Sequence, residues 1–354
     1  VPQLFDPIKI RGLEISNRAW VSPMCQYSAV DGVVGAWHNV HLGSFATGGA
    51  GLIMAEATGV VPEGRISVGC PGIYNDTQVA AWKGITTFVH SQGSRIGIQL
   101  AHAGRKGGTT VPGADHLMAT SAEGGWEAVA PSAIAFEGYP VPHAMTIEEI
   151  HILTHQWAEA AKNAVKAGFD LVEIHAAHGY LLHEFCSPLS NTRTDEYGGD
   201  FNGRTKFLKE VVIEVRKVIP ETMPLFVRIS ASDWTEGGWT IEESVKLSQE
   251  LKVLGVDLID ASSGGNIHDA KIAVGPGYQV QFAEKIKSGS GITTSAVGMI
   301  TDPVQANEII SSGKADAVML ARQMLRNPRW PLFAAHELGV EVNWPRQLAR
   351  GKLS

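Results

Sequence analysis

Cysteine is scarce in this chain. Only Cys25, Cys70 and Cys186 occur among 354 residues, far apart and odd in number. Three scattered cysteines exclude a disulfide scaffold and a four-cysteine zinc or iron–sulfur site, and they fit a reducing, cytoplasmic setting. No run of about 18 apolar residues occurs, so no membrane span is expected. Residues 1–10 carry Asp6 and no long apolar stretch, so no signal peptide is expected there. Basic charge is in deficit: 29 Lys+Arg against 36 Asp+Glu give −7, which argues against a nucleic-acid partner. There is no Gly-x-Gly-x-x-Gly fingerprint, no Walker A loop and no His-Glu-x-x-His helix. A Rossmann dinucleotide unit, P-loop chemistry and a zincin site are therefore disfavoured.

What is present reads as a globular protein, 44% apolar and 18% charged. Apolar runs alternate with amphipathic stretches along the whole chain. Candidate strands cover 18–24, 51–58, 95–102, 169–176, 224–230, 256–262, 292–298 and 315–321. Most are continuous apolar runs, as expected of strands covered on both faces. Helical patterns lie between them, for example 77–90 and 241–254. Thr146 before Glu148 and Glu149 marks a helix start, and Pro303 and Pro328 suit first helical turns. Eight such alternations predict a (β/α)8 barrel spanning 1–354 as one domain, with a doubly wound open sheet as the competitor. Residues 4–15 read as a small hairpin that closes the barrel floor. The Gly- and Pro-rich stretch 105–143, with 128–136 extended, follows the third strand and is too long for a plain connection. It is expected as a cap over the barrel mouth.

Barrel chemistry sits just beyond the C-terminal strand ends. His175, His178 and Tyr180 lie where the fourth strand ends. Two imidazoles and a phenol suit binding a carbonyl oxygen and supplying a proton. The other readings are two structural histidines, or a metal-dependent hydrolase that adds His102. Cys25 at the first strand end has three readings: an inert buried thiol, a nucleophile, or a thiol that touches and tunes a cofactor. The Gly-rich turns after strands six to eight, Ser262-Ser263-Gly264-Gly265, Val297-Gly298-Met299 and Ala321-Arg322, suit a phosphate. No lysine ends a strand facing inward, which disfavours Schiff-base chemistry; Lys106 is the nearest.

Four segments carry a family resemblance: Ser22-Pro23-Met24-Cys25-Gln26-Tyr27, His102-Ala103-Gly104-Arg105-Lys106, His175-Ala176-Ala177-His178-Gly179-Tyr180-Leu181, and Asn191-Thr192-Arg193-Thr194-Asp195-Glu196-Tyr197-Gly198-Gly199. With them the chain resembles the Old Yellow Enzymes, flavin-dependent ene-reductases. It is closest to the short bacterial branch of xenobiotic reductases and thermostable ene-reductases. The match runs from Leu4-Phe5 to the tail at 344–350.

The resemblance implies noncovalent FMN at the barrel mouth, reduced by NADPH or NADH. It places Pro23, Met24, Cys25, Ala57, Gln99 and Arg228 on the flavin ring, with Arg228 at the N1/O2 edge, and Gly298 and Arg322 at the phosphate. It makes His175 and His178 the donors to a substrate oxygen, Tyr180 the proton donor and Tyr27 a pocket wall. No metal is implied. The implied reaction is ping-pong: hydride from flavin N5 to the β carbon of an activated alkene, then a proton to the α carbon. The family also implies a homodimer or homotetramer. Arg350 is the residue placed to enter a neighbouring subunit's site, with Arg346 as competitor and Leu348 where an aromatic is usual. Ala321 stands where relatives often carry glycine.

Overall fold

The computed structural model describes residues 1–353. The expected hairpin forms from β1 (Ile8–Ile10) and β2 (Leu13–Ile15), paired antiparallel with Ile8 opposite Ile15. The barrel strands are β3 (Ala19–Val21), β4 (Leu52–Gly59), β5 (Arg95–Ala101), β8 (Leu171–Ala176), β9 (Leu225–Ser230), β10 (Leu258–Ser262), β11 (Thr293–Val297) and β12 (Ala317–Leu320). They are all parallel, and β12 pairs back onto β3 to close the ring. The open-sheet alternative is thereby set aside. The first strand is shorter than the apolar run suggested, because Pro23 has no N–H to give a ladder.

Helices cover the outside, and their ends follow local chemistry. α1 (Ala36–Thr47) follows β3, and α2 (Asp76–Ser91) follows β4 behind Asn75, whose Oδ1 accepts the Gln78 N–H at 2.9 Å. α3 (Ile147–Lys166) starts at Thr146 as expected: Thr146 and Glu149 cap each other's N–H groups at 3.2 and 2.7 Å. The other helices are α4 (Leu181–Cys186), α5 (Phe201–Val218), α6 (Ile241–Val253), α7 (Val280–Ser290), α8 (Pro303–Ser311), α9 (Arg322–Arg326) and α10 (Trp330–Glu337). Pro303 opens α8 as expected. Pro328 does not open a helix: it lies in the link before α10, and Pro331 occupies that first turn. None of these helices is long and apolar enough to cross a membrane.

Alternation along each strand divides the barrel interior into floors. The lower floor is apolar. Ile10 and Ile15 of the hairpin pack there with Trp20, Leu52, Leu171, Phe226 and Leu258, and the Trp20 and Phe226 rings stack at 6.0 Å. This plug leaves no pore and leaves the opposite, C-terminal end for function. The stretch after β5 is mostly turns, with 3-10 turns at Gly104–Lys106 and Ser121–Glu123. Within 128–136 only β6 (Val129–Ala130) pairs, in parallel, with β7 (His143–Ala144).

Candidate active site

The loop 22–27 leaves β3 at the barrel mouth. It is held by Glu56 of β4, whose Oε2 accepts the Gln26 N–H at 2.9 Å while Oε1 lies 3.2 Å from His38 Nε2. Pro23, Met24 and Cys25 are half-buried along it, and Tyr27 is exposed with φ +53°. Left-handed backbone in a bulky residue is strained, and it recurs here at His178 (φ +61°) and Met299 (φ +49°), both just past strand ends.

β8 presents His175, and the turn after it presents His178 and Tyr180. The His175 ring lies 5.2 Å from the His178 ring and 5.2 Å from the Tyr180 ring, edge to face in both cases. His178 Nε2 bonds Ser262 Oγ at 2.7 Å, and its backbone N–H donates to Ser230 Oγ at 2.8 Å. His175 Nδ1 is buried without a partner. A Cβ on Gly179 would meet the Gly265 carbonyl at 2.2 Å, so only glycine lets this turn close on the β10 loop. Lys106 fastens both loops. Its Nζ donates to the His178 and Gly265 carbonyls at 2.5 and 2.8 Å and lies 4.7 Å over the Tyr180 ring.

Burial dominates the electrostatics. It holds both imidazoles well below the ordinary histidine value, and the Arg228 cation adds to this. It pushes the Tyr180 phenol well up and lowers Lys106 to about 8. The site is therefore built of neutral imidazoles and a protonated phenol at pH 7. His102 does not join the histidine pair; its Nδ1 accepts the Gly104 N–H at 3.1 Å.

Beside Tyr180 lies a cavity of about 460 Å³. Tyr27 and Tyr180 face Ile66, Val111, His116 and Tyr139 across it, the last three from the insertion. The insertion thus caps the mouth as expected. A second cavity of about 200 Å³ lies at the ends of β11 and β12, lined by Tyr278, Gly298, Met299, Arg322 and Arg326. A Cβ on Gly298 (φ +120°) would stand 2.8 Å from Gln279 Nε2. Ala321 has φ −108°, outside the left-handed region, so this position does not require glycine. The turn at 262–265 does not line the phosphate-sized cavity. Ser262 holds His178, and Ser263 Oγ donates to Gln279 Oε1 at 2.5 Å.

Ala57 and Gln99 are buried on β4 and β5, and Arg228 lies inside β9 with Nη2 donating to Ser22 Oγ at 3.0 Å. Cys25 adjoins a residue the strand-end reading passed over, Cys70, which lies in the loop after β4 with Sγ 3.2 Å from Ser67 Oγ. The hydrogen bond to Cys70 and burial both push the Cys25 thiol up, so Cys25 stays protonated. Arg350 is not at this mouth. Its turn, Arg346–Gly351, lies at the opposite end, where Arg346 and Lys352 line a hollow of about 750 Å³ with Asn17, Ala50 and Ser94.

The cavity at Gly298, Arg322 and Arg326 offers a glycine turn and two guanidinium groups, a chemistry that suits an anion such as a phosphate. The model of the NADH:flavin oxidoreductase / NADH oxidase family matches residues 3–341. The chain belongs to that family. An NADPH dehydrogenase of Geobacillus thermodenitrificans (strain NG80-2) is 49% identical over 351 residues, covering 98% of each chain. The Old Yellow Enzyme homologue of Zymomonas mobilis superposes with a TM-score of 0.78 at 29% identity, over 97% of this chain and 94% of that one. A 2-naphthoyl-CoA reductase shares the fold, with a TM-score of 0.86 at 24% identity; this chain, 96% covered, spans 52% of it. As a family member the chain is a flavin oxidoreductase of the Old Yellow Enzyme type, with FMN as resident group and NAD(P)H as reductant.

Proposed function

We propose that the chain is an ene-reductase acting on α,β-unsaturated carbonyl compounds and nitroalkenes. The observation that carries this reading is the convergence of His175, His178 and Tyr180 at one strand end beside the mouth cavity. FMN, when bound and reduced by NADPH or NADH, would supply a hydride for the β carbon of the alkene.

His175 and His178 bind the carbonyl or nitro oxygen. As neutral imidazoles they donate N–H hydrogens to it and stabilise the negative charge that grows there. Tyr180 retains its proton until the α carbon needs it, because burial opposes the phenolate. Lys106 holds the turn that carries both groups. Tyr27 and the insertion wall the alkene in and exclude water. Pro23, Met24, Cys25, Ala57, Gln99 and Arg228 would hold the ring, and Gly298 and Arg322 would hold the phosphate. Nicotinamide and alkene take turns at the one mouth, which gives ping-pong order and suits a chain without a Gly-x-Gly-x-x-Gly fingerprint.

We further read the chain as a cytoplasmic homodimer or homotetramer in which Arg350 completes a neighbour's site. Small molecules are its partners, not nucleic acid or membrane. The decisive experiment is anaerobic. NADPH should bleach the visible flavin absorbance of the purified protein, and cyclohexenone should restore it. Bleaching without restoration would overturn alkene reduction; a protein that takes up no FMN would overturn the whole reading.

A further inference from the structure

Above the apolar plug the barrel interior carries a polar layer in which two acids, Glu173 and Asp260, have no part in the proposed reaction. Glu173 of β8 and Asp260 of β10 are fully buried, and Arg228 of β9 is 5% exposed. Arg228 Nε lies 2.8 Å from Asp260 Oδ2. Ser295 Oγ donates to Asp260 Oδ1 at 3.1 Å, and Gln99 Nε2 donates to Glu173 Oε1 at 2.9 Å. These contacts leave Glu173 Oε2 buried with no donor, while Asp260 Oδ2 has only the Arg228 ion pair, and the Glu173 and Asp260 carboxyl groups meet each other.

Counted as ionised groups, the layer holds one positive and two negative charges away from water. A net buried charge is strongly disfavoured in such a setting. One added proton removes that charge and lets the two carboxyl groups share a hydrogen bond. The groups that bear on Glu173 are Asp260 on β10, Arg228 on β9 and neutral Gln99 on β5.

We propose that Glu173 is a positioning residue that keeps one proton on the Glu173–Asp260 pair, leaving Arg228 a single counter-charge instead of two. The consequence rests on the placement of Arg228 at the flavin N1/O2 edge. A guanidinium opposed by one carboxylate presents more positive field there, and so favours the anionic reduced ring, than one opposed by two. Asp260 is the ionised member because it holds both the Arg228 ion pair and the Ser295 hydroxyl. Burial, then the Asp260 charge, raises the Glu173 carboxyl to about 8, so the proton is held at neutral pH and released above it.

The test is an infrared difference spectrum of the full-length flavoprotein between pH 6.5 and 9.5. Wild type should lose a protonated-carboxyl C=O band assignable to Glu173. Glu173→Gln should lack that band while keeping the one from Glu184, the other buried acid raised to about 8. Asp260→Asn should also lack it, because Glu173 then becomes the ionised partner of Arg228. In parallel, the FMN midpoint potential of wild type should fall below that of Glu173→Gln as pH rises past about 8. A band that survives Glu173→Gln, or no titrating carboxyl beyond Glu184, would overturn the proton assignment and leave the flavin reading intact. A Glu173 band without any difference in potential would overturn the coupling to Arg228.

Discussion

His175 stands opposite Arg228 in the parallel register of β8 and β9. That pairing sets an imidazole beside a permanent cation inside a closed barrel, where burial already disfavours a charged ring. A histidine in this place stays neutral across the working pH range, so an oxyanion bound there would be held by N–H groups rather than by an imidazolium.

The first prediction follows from those donors. A His175→Ala/His178→Ala double variant should keep FMN and lose about 3 kcal/mol of affinity for a phenolate ligand, roughly 100-fold. The measurement is the charge-transfer band that appears when a phenol is titrated onto the yellow protein. Wild-type affinity in the double variant would remove both residues from the oxygen site.

Tyr180→Phe separates the two half-reactions. The ring stays and keeps its contact with His175, while the proton is lost. Alkene reduction should slow by about 100-fold or more, the usual range for a lost general acid. Flavin reduction by NADPH should hardly change. Stopped-flow traces of each half-reaction decide it; a defect confined to the NADPH step would assign Tyr180 to nicotinamide binding instead.

Gly298→Ala probes the phosphate end without touching the chemistry. Its backbone lies at φ +120°, and an added Cβ would press on Gln279 Nε2 at 2.8 Å and Tyr278 Cε1 at 3.0 Å. Strain of about 2 kcal/mol should weaken FMN binding roughly 30-fold. Recovery of free-flavin fluorescence on dilution reads this directly, and unchanged retention would mean that the phosphate rests elsewhere.

Much of this arrangement is legible in one dimension because a barrel maps strand ends to one face. His175, Arg228 and Gly298 could be placed at the mouth by counting apolar runs. The polar layer could not: whether Glu173 and Asp260 share a floor depends on strand register, which no local pattern encodes. Cys70 was missed for a related reason, since only the folded loop after β4 brings it to Cys25. The turn at Ser262-Ser263-Gly264-Gly265 has the composition of a phosphate turn, yet its Gly265 serves to let His178 and Gly179 approach. Pro328 shows the same limit at short range, because two prolines compete for one helix start and packing chooses Pro331.

Stability against pH gives a fourth prediction. Glu184 is fully buried; Oε1 accepts the Arg105 N–H at 2.9 Å and Oε2 has no partner. Burial raises its carboxyl to about 8. The folded state then holds this proton where the unfolded state, titrating at about 4.3, has released it. Its contribution is therefore complete below about pH 4.3, shrinks as pH rises, and stops changing above about 8. Glu184→Gln keeps an acceptor for Arg105 and removes this dependence. The variant's Tm should gain on wild type steadily from pH 5 to 8. A constant difference would show that Glu184 is ionised throughout.

The last prediction concerns Arg350. Its turn sits beside Asn17, Ala50 and Ser94 at the N-terminal strand ends, while Tyr180 stands at the opposite end of the barrel. A tail at that end can serve catalysis only in another subunit's mouth. Two inactivating substitutions should then complement when placed on different chains. In a mixed oligomer of Arg350→Ala and Tyr180→Phe chains, the first keeps Tyr180 in its own site and receives Arg350 from the second. Purified through two different affinity tags, such oligomers should reduce alkene faster than either parent. If Arg350 served its own chain, every site in the mixture would lack one group or the other, and the mixed oligomer would be no faster than its parents.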